Sequence, residues 1–317
     1  MQWLYGKIMV RVSLIYKAER TPKKDAASGL SGHRNAPEKR SADIISYYIL
    51  CETKLVDIRE QTVVKSERIK NRMKGRKNRM EKTVGILFAD EMEYAPFLSW
   101  VKEREFKEEK KHGNDSVITY LSEGEKSLKL IAVKCGIGKS NAAAAAAYLI
   151  GEDKADYILN AGLSGAVSRL KREDMIAGES YIECDFDLTA IGYAPGEKCD
   201  GQKSLLKADE KLLGYALESQ GITKAPCGTG DIFLSDKDKK EYFKKTFSIQ
   251  SFDMETGAIA SVCDKAGIPM LSLRKISDDA DDTSVEDYRE MNDRKESCLT
   301  ELLVSIFKRI LADESNF

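Results

Sequence analysis

From residue 83 onward, apolar and polar positions alternate in blocks that read as strands followed by helices. "TVGILFA" (83–89) is a continuous apolar run of the kind covered on both faces. "EMEYAPFLSWVKE" (91–103) has the spacing of an amphipathic helix. "LKLIAVKCGIGK" (128–139) predicts a strand ending in a glycine turn, and "SNAAAAAAYLIGE" (140–152) a strong helix. "DYILNAGLSGAV" (156–167) repeats the strand-to-glycine pattern, and a further strand begins "SYIECDFDLTAIGY" (180–193). "SLLKADEKLLGYALESQG" (204–221) predicts a helix closed by Gly221, and "GTGDIFLSD" (228–236) a glycine-bounded loop. "FSIQSFDME" then "TGAIASVCDKAG" predicts strand then helix. "IPMLSLRKISDDADD" predicts strand then acidic loop, and 285–312 a closing helix. Strands alternating with helices imply an α/β layered fold with helices on both faces. Polar and glycine residues gather at the strand ends, where such folds bind ligands.

Residues 1–79 lack this pattern. They contain the polar tract "KAERTPKKDAASGLSGHRNAPEKRS" and the basic run "KSERIKNRMKGRKNR". With 19 Lys and Arg against 8 Asp and Glu they carry +11, whereas the remainder carries −12. The expected division is a basic, poorly ordered extension (1–79) and a catalytic domain (80–317). A solvated tail is the favoured reading of the arm over a nucleic-acid-binding one. Met80 stands directly before the first core strand and is expected to be the native start, which N-terminal sequencing of the native protein would check.

Seven scattered cysteines without a C-x-x-C pair point to a reducing, cytoplasmic setting. No apolar run reaches membrane-span length. Only His33 and His112 are present, both in polar surroundings. Ser-His-Asp catalysis and His-based zinc sites are therefore disfavoured, and acid–base work falls to carboxylates. No metal or other cofactor is expected.

Four stretches can carry that chemistry. "FADEMEY" offers Asp90, Glu91 and Glu93, whose bland role is to complement a helix dipole. "CGIGKS" and "NAGLSGAV" let a ligand approach the backbone, but match neither a Walker A loop nor a Rossmann fingerprint. "SFDMETGAIA" places Asp253 and Glu255 around Met254 at the start of a small-residue helix. A carboxylate there suits the paired hydroxyls of a ribose, with Met254 as apolar surface; a helix N-cap is the alternative. In "RKISDDADD", Asp278 is the first acid after the apolar strand, and burial would favour its protonated form.

Taken together and in order, "GILFADEMEY", "KCGIGKSNAAAA", "LNAGLSGAV", "DFDLTAIGY", "GTGDIFLSD", "FDMETGAIA" and "RKISDDAD" resemble the 5′-methylthioadenosine/S-adenosylhomocysteine nucleosidases of the nucleoside phosphorylase superfamily. The resemblance spans residues 83 to about 310. It implies a three-layer α/β/α sandwich with a central mixed sheet, and hydrolysis of a nucleoside to adenine and a 5-thio-substituted ribose. By motif, Glu93 resembles the family's water-activating carboxylate, and Asp278 the group that protonates adenine at N7. Met254 and Glu255 resemble its ribose clasp, Phe233 its purine-stacking ring and Leu234 the neighbouring backbone reader. Ser277 would orient Asp278, and Ile137 and Gly138 would add substrate contacts. A homodimer is implied as well. Three positions depart from the pattern: Asp253 where glutamate is common, Leu163 in place of a small hydroxyl residue, and Ile191 where an aromatic is usual. A phosphate-dependent phosphorylase, with Lys139 and Arg274 as anion site, and a non-catalytic nucleoside-binding protein are the alternatives.

Overall fold

The computed structural model describes residues 80–282, 284–293 and 298–317. The expected basic extension lies outside these residues, as do His33 and the start of the chain.

Ten strands and seven helices build the described part. Their order is β1 (Met80–Phe88), α1 (Glu91–Lys102), β2 (Phe106–Lys111), β3 (Asn114–Glu123), β4 (Lys126–Lys134), α2 (Lys139–Gly151), β5 (Tyr157–Ala166) and β6 (Met175–Glu183). There follow β7 (Leu205–Lys207), α3 (Glu210–Leu217), β8 (Ile222–Thr229), α4 (Lys237–Phe247), β9 (Ser251–Asp253), α5 (Thr256–Ala266), β10 (Met270–Asp278), α6 (Ser284–Asp293) and α7 (Cys298–Ala312).

All ten strands form one mixed sheet in the order β2-β3-β4-β1-β5-β10-β6-β8-β9, with β7 added beside β6. β4, β1, β5 and β10 run parallel. The sheet also closes on itself, because β9 pairs back onto the end of β5 through Gly165 and Phe252. Strands β5, β10, β6, β8 and β9 thus make a ring, from which β1, β4, β3 and β2 extend as an open sheet.

The apolar runs fill the interior. Val84, Ile86, Leu87 and Phe88 pack with Leu128, Leu130, Ile158, Leu159, Leu271 and Leu273 in one buried cluster. Helix α7 adds Leu303, Ile306, Phe307 and Ile310, each fully buried. The alanines of α2 (Ala142, Ala145, Ala146) are buried where α2 packs against α5.

The expected mixed α/β architecture is the one observed, with several local differences. Residues 205–207 pair with β6 as a short strand, so the helix expected from 204 begins at Glu210, where Asp209 caps it by accepting the Leu212 N–H. The single closing helix is two, α6 and α7. Strands β2, β3 and β8 and helix α4 had no counterpart in the sequence reading. Among the described residues no helix is long and apolar enough to cross a membrane.

Candidate active site

The glycine turns and acids at the carboxyl ends of β1, β4, β5, β8, β9 and β10 converge on a cavity of about 340 Å³. Glu93, Ile137, Phe233, Leu234, Met254, Glu255, Ser277 and Asp278 all line it. Gly138 stands behind this lining and donates its N–H to Glu255 Oε1 at 3.0 Å.

Glu93 is fixed from two sides. Asp90 caps α1 by accepting the N–H groups of Met92 and Glu93, so the bland dipole role falls to Asp90 and leaves Glu93 free to turn inward. Its Oε2 accepts the Ala89 N–H and its Oε1 the Leu163 N–H, both at 2.7 Å. Gly162 is needed beside it, since a methyl at that position would overlap both Glu93 Oε1 and Arg274 Nη1. The departure at Leu163 is compatible with this role, because the residue serves through its backbone N–H, which a leucine side chain leaves intact. Burial pushes the Glu93 carboxyl up to about 8, with Arg274 opposing and Asp90 and Glu255 adding to the rise.

The acids of "FDMET" divide their work. Asp253 Oδ1 accepts the N–H groups of Glu255 and Thr256, each at 2.8 Å, and the Thr229 hydroxyl at 3.1 Å. Asp253 thereby serves the start of α5, and Glu255 makes no side-chain cap of its own. The Glu255 carboxylate is instead aimed into the cavity and 4% exposed. Burial raises it to about 6 against the pull of Arg274.

Arg274 is the cation beneath these acids. It is wholly buried, with Nε 3.5 Å from Asp253 Oδ2 and Nη2 3.7 Å from Glu255 Oε2. Asn160, Thr256, Ser272 and the Leu163 carbonyl accept its N–H groups. Burial is the main cause of the raised values at Glu93 and Glu255, and the single guanidinium facing them lowers both without cancelling it.

Asp278 closes the opposite wall. Ser277 Oγ donates to its Oδ2 at 2.7 Å and the Ala280 N–H to its Oδ1 at 2.9 Å. Ala280 adopts φ +48°, a left-handed conformation costly for alanine, and this turn directs its N–H back at the carboxyl group. Burial raises the Asp278 carboxyl above its ordinary range, opposed by Ser277, Ala280 and Ser284.

Apolar groups supply the remaining surface. Phe233 packs edge-on against Tyr288 of α6 at 5.7 Å, and the Tyr288 hydroxyl donates to Asp90 Oδ2 at 3.0 Å. Phe233 (42% exposed) and Ile137 (52% exposed) leave open apolar faces that a planar ligand could cover. Tyr288 was missed in the sequence because it sits in the charged run "SVEDYREMND", whose composition signals a solvated helix. Arg274 was read only as an anion site, since nothing in an apolar strand reveals which neighbours a lone arginine will meet.

Chemically, the cavity offers three carboxyl groups with raised proton affinity, Glu93, Asp278 and Glu255, the last aimed inward to accept hydrogen bonds. The family model described as "Phosphorylase superfamily" matches residues 83–308. A curated 5′-methylthioadenosine/S-adenosylhomocysteine nucleosidase of Geobacillus sp. is 31% identical over 185 residues, covering 56% of this chain and 79% of that protein. The nucleosidase of the same name from Bacillus subtilis is 30% identical, over 57% and 82% respectively. Among solved structures, S-adenosylhomocysteine nucleosidase from Streptococcus pyogenes has a TM-score of 0.65 at 26% identity, covering 73% of this chain and 98% of that one. A futalosine hydrolase of Helicobacter pylori shares the fold, with a TM-score of 0.67 at 24% identity over 72% and 99%. The chain belongs to the phosphorylase superfamily, and within it to the family of the 5′-methylthioadenosine/S-adenosylhomocysteine nucleosidases.

Proposed function

We propose that this protein hydrolyses the N-glycosidic bond of 5′-methylthioadenosine and S-adenosylhomocysteine, releasing adenine with 5-methylthioribose or S-ribosylhomocysteine. The observation that carries this reading is the pair Glu93 and Asp278, both of raised proton affinity, on one cavity with Glu255 aimed inward. In this reading the purine lies against Phe233 with N7 toward Asp278. The ribose hydroxyls donate to Glu255, and a water waits at Glu93. Asp278 protonates N7 as the C1′–N9 bond breaks, and the sugar becomes oxocarbenium-like. Water adds to C1′ and Glu93 takes its proton. The products are neutral adenine and the free sugar, and proton exchange with solvent resets both carboxyls.

Two observations favour water over phosphate as acceptor. Arg274, one of the two cations a phosphate site would need, is wholly buried and faces carboxylates. Lys139, the other, is held by Asp185 at 2.6 Å and Glu183 at 3.2 Å. A phosphate dianion would meet Glu93, Glu255 and Asp253 without a free cation beside them.

The test is release of the free purine base from 5′-methylthioadenosine, S-adenosylhomocysteine and futalosine in phosphate-free buffer. Release from the first two supports the reading. Release from futalosine alone, or from none of the three, rejects it.

A pH dependence follows. Glu93 must be ionised to accept a proton and Asp278 protonated to give one. The product of the two requirements is a bell-shaped kcat/KM, and Glu93, raised to about 8, sets one of its limbs near that pH, Asp278 setting the other. A pH–rate profile checks this, and a profile with no inflection near pH 8 contradicts the assignment.

The same reading includes a homodimer. Ile191, 70% exposed on the turn Thr189–Ile191, would then meet a second copy. Sedimentation equilibrium of the wild type, with Ile191→Asp as the dissociating variant, tests it; a monomer at every concentration contradicts it.

A further inference from the structure

We propose that Asp185, Lys139 and Asp231 form a positioning ring. It ties the loop carrying Phe233 to the turn that holds Glu255, and so fixes the base wall relative to the ribose clasp. The inference rests on the reading of Phe233 and Glu255 given above and adds residues that touch no substrate in it.

Two adjacent N–H groups at the start of α2 are divided between the two halves of the site. Gly138 N–H goes to Glu255 Oε1 at 3.0 Å, and Lys139 N–H goes to Asp231 Oδ1 at 2.8 Å. Asp231 lies two residues before Phe233 in the same loop. Asp185 closes the circuit: its Oδ2 accepts the Asp231 N–H at 2.9 Å, and its Oδ1 accepts from the Lys139 ammonium at 2.6 Å. Two loop residues and the first residue of α2 are thus joined in a closed ring, with no member lining the cavity. Glu183 buttresses it, with one oxygen 3.2 Å from Lys139 Nζ and the other 2.5 Å from Lys198 Nζ. Lys139 and Asp185 are each 19% exposed, so their pairing is shielded more than a surface salt bridge.

The backbone is committed to this arrangement. Gly138 adopts φ +99°, which side-chain-bearing residues rarely reach, and a Cβ there would stand 3.1 Å from Asp231 Oδ1. The conformation that presents both N–H groups is also the one that admits Asp231. Any shift of Asp231 moves the α2 turn, and with it the Glu255 carboxylate. A ligand that spans both walls therefore depends on the ring, whereas a ligand that meets only the base wall does not.

The experiment compares two ligands by titration calorimetry on the full chain. Adenine reports the base wall alone. 5′-Methylthiotubercidin, which has carbon in place of N7 and so lacks the atom to be protonated, reports both walls. In Asp185→Asn and Lys139→Met the nucleoside analogue is expected to bind about tenfold more weakly, as for loss of one charge-assisted hydrogen bond, while adenine stays within about twofold. Lys139→Arg, which keeps the cation, is expected to recover most of the affinity. Equal weakening for both ligands would mean a merely structural role and overturn the ring, and so would unchanged binding of both. Wild-type protein that binds neither ligand would overturn the ring together with the functional reading on which it rests. Adenine release by the wild type with no contrast between the ligands would overturn the ring alone.

Discussion

Asp278→Asn is expected to lower kcat for adenine release by about 10²- to 10⁴-fold, the usual range for removing a positioned proton donor, with nucleoside binding retained. The amide keeps the shape of the carboxyl group and can still accept from the Ala280 N–H and meet the Ser277 hydroxyl. What it cannot do is transfer a proton to the leaving purine. Adenine is a poor leaving group as an anion, so the cost falls on bond cleavage rather than on binding. Steady-state kinetics with a parallel binding measurement separates the two. A kcat within a few-fold of wild type would show that the proton comes from elsewhere.

Arg274→Met is expected to have the largest effect on stability. Removing one partner of a buried ion cluster leaves the others uncompensated, at a cost of about 3–5 kcal/mol. Here Asp253, Glu255 and Glu93 would lose their common cation. The pH dependence has a definite sign. Glu93 in the folded protein holds its proton up to about 8, against an ordinary 4.5, so the folded state binds a proton that the unfolded chain releases. Stability from this group is complete below about 4.5 and is lost as pH rises through about 8. Arg274 pulls the Glu93 value down, so its removal extends that loss to higher pH. The deficit of the variant should be largest in alkaline buffer and should shrink as pH falls through the window. Urea unfolding at several pH values measures this. A deficit independent of pH would mean that the methionine is simply a poor fit.

Much of the site was legible because its parts follow strongly apolar strands. A run such as "TVGILFA" can only be buried, so the acids just beyond it must lie near a buried face. The helix N-cap alternative for Glu255 could not be settled from spacing. It depends on whether Asp253 reaches the N–H groups of Glu255 and Thr256, which is a matter of rotamers.

The elements that escaped had weak periodicity for physical reasons. Strand β2, "FKEEKK", is an exposed edge whose charges discourage pairing with another chain. Strand β8 contains Pro226, tolerated because it faces a register shift between Gly178 and Ser180 of β6. Helix α4 buries only Phe243 and is otherwise rich in lysine. The closure of the sheet was illegible in principle, since it rests on β9, three residues long, choosing β5 as a second partner.

The central claim is transfer of the sugar to water by a pair of carboxylates. The most direct measurement is mass analysis of the sugar released from 5′-methylthioadenosine in buffer containing phosphate. The account predicts free 5-methylthioribose, formed at the same rate with and without phosphate and lost in Glu93→Gln. Accumulation of the sugar 1-phosphate, with a rate that rises with phosphate concentration, would contradict it.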